Sequence, residues 1–241
     1  MKRQKGATLI IVMILLIIIT GIGTLAIRES LTSLNIATNS QATQLMLQNS
    51  DAALFQIENL PESDLALQWT KRGIFGLIQG NNNKGNELIF CFRGDQSDFF
   101  DQNKASISKL DASGKFNNSS LGSDGYCKVG KPENYFTSGR QAVMTQISLT
   151  YPNTESNDIF GNMIGGTAIE TLGLPNRERV IINAVSIMPT LSTASNVEIN
   201  DCLSQHLNNS QTSNITSCLA DLNVPFTTFV AEYVIGPTFT S

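Results

Sequence analysis

The sequence predicts an α+β protein in which one long N-terminal helix, transmembrane and then amphipathic, packs on an antiparallel β-sheet. Three observations predict it. Residues 7–27 form an apolar run with no charge, small and apolar residues recur at helical spacing from there to residue 58, and four strand-like segments follow Pro61.

The apolar run, ATLIIVMILLIIITGIGTLAI, holds 21 residues. As a helix it extends about 31 Å, enough to cross the hydrocarbon core of a bilayer. Lys2, Arg3 and Lys5 precede it, and a basic flank holds that end in the cytoplasm. The expectation is a single-pass inner-membrane protein whose bulk faces the periplasm. Leu31, Leu34, Thr38, Ala42, Leu45, Asn49, Ala52 and Phe55 then recur three and four apart, a stripe suited to packing on a globular domain. Pro61 ends the pattern because it cannot continue a helix. One helix over 7–58 would run about 78 Å. Beyond it, segments 87–92, 142–151, 178–188 and 227–235 read as strands. Val143, Thr145, Ile147, Leu149 and Tyr151 alternate with polar residues, which predicts an antiparallel sheet with one buried face.

Length and charge narrow the function. The 241 residues allow one medium domain plus an appended segment. The formal charge of -4 conceals an asymmetry: beyond the three leading cations, 13 basic side chains face 20 acidic ones. An acidic body with dispersed Lys and Arg lacks the clustered positive charge that nucleic acid requires. The Asn-, Ser- and Gly-rich runs at 80–86, 115–125 and 207–217 read as solvated loops. Cys91, Cys127, Cys202 and Cys218 form an even set without a CxxC pair, suiting disulfides better than zinc. Three pairings are possible, and closeness in sequence favours Cys91 with Cys127 and Cys202 with Cys218. Disulfides in turn imply an oxidising compartment.

Residues 5–10, KGATLI, join a basic leader ending in Gly6 directly to the apolar helix with Thr8 and Leu9. This resembles the signal of type IV pilins and pseudopilins, which prepilin peptidase cuts after the glycine on the cytoplasmic side. The resemblance implies a leader over 1–6, cleavage after Gly6, and an N-methylated Ala7 as the first mature residue. Thr8, Leu9, Ile10 and Ile11 would then begin the surface that packs in the membrane and in a filament. Most family members carry Phe where this chain has Ala7, and a glutamate where it has Ile11. A carboxylate in lipid is retained only where it is paired, so its absence argues against a bulk shaft subunit. Residues 27–59 resemble minor pilins of the PilX type. The resemblance implies a subunit that helps prime a type IV pilus, with tip and shaft positions both left open, in support of adhesion, twitching motility or DNA uptake. The implied partners are other minor pilins, the pilus assembly machinery, a large tip adhesin, prepilin peptidase and the inner membrane. The implied organisation is a leader over 1–6, a transmembrane half-helix over 7–27, an amphipathic half-helix over 28–58 and an exported domain over 59–241.

Alternatives rest on the same residues. A K-type minor pseudopilin of a type II secretion system shares all these features, and a membrane-anchored binding domain outside any filament shares the span. A secretory signal cut after Ala26, with Thr24 two places before it, is a further reading of the apolar run. Enzymatic chemistry is not expected: His206 is the single histidine and reads as an exposed loop residue, leaving one candidate base for any triad. No cofactor is expected. Asp95, Asp98 and Asp101 lie three apart, and with loop carbonyls could hold calcium, although the spacing is not that of a standard calcium loop; a solvated acidic loop is the default.

Overall fold

The computed structural model describes residues 7–59, 73–79, 85–93, 99–110, 116–118, 121–122, 124–135, 142–152, 178–208, 210 and 214–235. Helix α1 spans Ala7–Glu58, the range that periodicity and Pro61 predict. Two compact units divide the chain, Met1–Gln44 and Leu45–Ser241. The first carries the apolar part of α1, and the second holds the last turns of α1 with every strand.

In the second unit, β1 (Glu87–Phe92), β2 (Ala105–Leu110), β3 (Phe116–Asn118), β4 (Met144–Thr150), β5 (Glu178–Ile187) and β6 (Phe226–Ile235) form one sheet in the order β3-β2-β1-β4-β5-β6. Each neighbouring pair is antiparallel, from Leu88 opposite Ile107 at one side to Ile182 opposite Ala231 at the other. Strand β3 falls within 115–125, predicted as loop. Its FNN sequence has no strand pattern of its own, and pairing with β2 makes it a strand. Helices α2 (Asn196–Gln205) and α3 (Ile215–Asp221) lie between β5 and β6.

Both faces of the sheet's centre are buried, where alternation predicted one. On the front face Leu88, Phe90, Ile147, Leu149, Val180 and Ile182 pack with Ala53, Leu54 and Ile57 of α1 and with Ile74, Phe75 and Ile78. On the back face Cys91, Met144, Val185 and Ile187 pack with Ile199 and Leu203 of α2 and with Ile215 and Leu219 of α3. The intervening polar residues of the strands look solvent-facing in sequence, yet Ser106, Ser108, Gln146 and Ser148 are fully or almost fully buried. Hydrogen bonds to the covering segment resolve the conflict, since a buried polar group is tolerated when partnered. Gln146 Oε1 accepts from the Cys127 amide at 3.0 Å, and its Nε2 donates to the Leu203 carbonyl at 2.9 Å. Ser106 Oγ donates to the Gly122 carbonyl and accepts from the Gly125 amide. Gly125 passes so close that a Cβ would lie 2.3 Å from the Ile89 carbonyl oxygen and the Ser106 nitrogen.

The stripe of α1 in the second unit is rotated from the predicted one. Leu45 and Phe55 are exposed, while Met46, Asn49, Ser50, Ala53, Leu54 and Ile57 are buried. Ser50 belongs to the contact face because its hydroxyl lies 2.6 Å from Ser186 Oγ on β5. Ser186 in turn lies 2.6 Å from Thr145 Oγ1, which accepts from Asn49 Nδ2 at 3.2 Å. Asn49, on the predicted stripe, and Ser50, beside it, are held on the contact face by these bonds, next to the apolar Met46, Ala53, Leu54 and Ile57.

The helices over the back face are fixed at their ends. Ser195 and Glu198 form a capping box at α2, Ser195 Oγ accepting from the Glu198 amide and Glu198 Oε2 from the Ser195 amide. Asn214 Oδ1 caps α3 by accepting from the Thr216 amide at 2.8 Å. Asn223, at φ 52, ends α3 in the left-handed region, and the Val224 amide returns to the Leu219 carbonyl at 2.9 Å. The run at 207–217, predicted as loop, thus includes the start of a helix.

Candidate functional site

The most distinctive surface lies on α1 in the first unit. The large apolar side chains from Leu9 to Ile27 are each 51–69% exposed. They surround the helix rather than lining one stripe, and among the described residues none of them enters a core. A helix apolar all round is matched to an apolar surrounding. The threonines described within it are already satisfied: Thr20 Oγ1 donates to the Leu16 and Ile17 carbonyls at 2.9 Å, and Thr24 Oγ1 to the Gly21 carbonyl at 2.8 Å. Such internal bonds suit a helix in a medium that offers none. Gly21 and Gly23 do not interrupt the helix, and a Cβ at either would meet nothing within 4 Å. Among the described residues nothing requires glycine there; the two positions leave an indentation open to another helix.

Leu9, Ile10 and Ile11 lie on this exposed surface. For Ala7 and Thr8 only the helical backbone is described, and Gly6 lies outside the described residues. The helix is long and apolar enough to form a single membrane span, and its position near the N-terminus also fits a signal sequence.

All four cysteines are paired, Cys91 with Cys127 at a Cα separation of 4.9 Å and Cys202 with Cys218 at 5.7 Å. The first ties β1 to the segment that crosses the back face. The second joins α2 to α3. Both lie in the back-face core, and Gln146 reaches from β4 to both covering segments through its two amide bonds.

Asp101 caps the short helix Gln102–Lys104, its Oδ1 accepting from the Asn103 amide at 2.9 Å. Asp95 and Asp98 lie outside the described residues, among which no three His, Cys, Asp or Glu side chains gather. His206 is half-buried at the end of α2, not exposed, and its Nδ1 has no hydrogen-bond partner among the described residues. Burial pushes the phenol of Tyr126 above its ordinary value, with Glu87 adding to the effect against an opposing bond from Ser108. Burial likewise raises Tyr135, opposed by its hydrogen bond at Gly130. Tyr233 is raised by burial and by its 2.6 Å bond to Glu58. These phenols are structural anchors, each neutral at physiological pH.

A long apolar N-terminal helix whose last turns pack on an antiparallel sheet defines the class of architecture, and it is compatible with a pilin-like fold. Comparison with protein-family models, with curated proteins and with solved structures found no match.

Proposed function

We propose that the chain is a minor pilin of the PilX type, anchored in the inner membrane before it enters a type IV pilus. The observation that carries this reading is the helix apolar on every side, following Lys2, Arg3, Lys5 and Gly6. Prepilin peptidase would cut between Gly6 and Ala7, on the cytoplasmic side, and leave the span attached. The same side chains would face lipid before assembly and neighbouring pilin helices afterwards. Ile11 stands where a bulk subunit would carry a pairing carboxylate, which supports a priming role beside other minor pilins and a large adhesin. The second unit would lie outside the membrane, its two disulfides matched to the periplasm. Its role is assembly and contact rather than catalysis.

Intact-mass and N-terminal peptide analysis of the full chain, recovered from membranes and from sheared surface filaments, tests this. The expected product begins at methylated Ala7, and Gly6→Ala retains the leader and abolishes piliation. A product beginning at Met1 would instead mark an anchored binding domain, and one beginning at Ile27 a secreted protein. Loss of type II secretion with pili intact would assign the chain to the pseudopilins.

A further inference from the structure

We draw no further inference here: the strongest candidate, the outer edge of strand β6 beside the exposed Val230, is unpaired among the described residues, and nothing in the structure shows what covers it.

Discussion

Replacing Ser186 by alanine removes the hydroxyl that links α1 to the sheet. Ser186 Oγ lies 2.6 Å from both Ser50 Oγ and Thr145 Oγ1, and all three residues are fully buried. Thr145 keeps a partner in Asn49 Nδ2, but Ser50 loses the one it has on the sheet. A neutral hydrogen bond contributes about 0.5–1.5 kcal/mol, and an unsatisfied buried group costs about 1–3 kcal/mol. A return of the Ser50 hydroxyl to a carbonyl in its own helix would offset part of this, so the expected loss is about 2 kcal/mol. At this chain length that lowers Tm by about 4–8 °C. Ser50→Ala in the same chain removes the stranded hydroxyl, and the double variant should recover about 1 kcal/mol relative to simple addition. Thermal melting of the full chain in nanodiscs, followed by near-ultraviolet circular dichroism over the complete cycle of variants, measures the coupling. Strict additivity, or a Ser186→Ala shift below about 1 °C, would refute the claim that this network holds the helix in register.

The Cys202→Ser/Cys218→Ser pair, whose bridge spans a sequence separation of 16, should lose about 3 kcal/mol in denaturant titration on the chain-entropy account. Gly125→Ala should prevent cooperative folding, because its Cβ would enter the backbone of β1 and β2, whereas Gly122→Ala meets no neighbour and bears only left-handed backbone strain of about 1–2 kcal/mol; expression and melting distinguish them. Because burial raises Tyr126, Tyr135 and Tyr233, the native state holds protons that the unfolded chain releases near pH 10. Stability should therefore be full below that pH and fall as pH rises through the higher folded values, with Tyr233→Phe blunting the fall in pH-dependent melting. Ile17→Arg, at the middle of the apolar run, should disfavour insertion by about 3–4 kcal/mol, read as loss of the chain from carbonate-washed membranes.

How legible the fold was depended on where the information resides. Helix α1 and strands β1, β4, β5 and β6 carry long apolar or alternating patterns, and their sequence ranges agree with the structure to within two residues. Strands β2 and β3 do not: ASISKL and FNN become strands through pairing and through the cover over Ser106 and Ser108. The helical pair over the back face was missed although Ser195 and Glu198 have capping-box spacing, a local signal able to locate α2. The stripe on α1 was right at Asn49 and Ala52 and wrong at Leu45 and Phe55, which are exposed. Ser50, Gln146 and Ser148 are polar residues buried by partners distant in sequence, which periodicity alone does not detect. Of the site, the exposed apolar surface was fully legible, because no tertiary contact determines it.

The two crosslinks also set what happens to the second unit when it is pulled. Cys91 and Cys127 are separated by 36 positions and Cys202 and Cys218 by 16, so neither intervening segment can lengthen while its bridge holds. Fully extended, the two together would contribute about 170–190 Å of contour. A domain under tension would therefore yield in the stretches outside the bridges and stop short by that length, keeping the C-terminal end of β1 and the α2–α3 pair fastened. Reduction would release the hidden length, turning a short tether into a long one without changing a single residue.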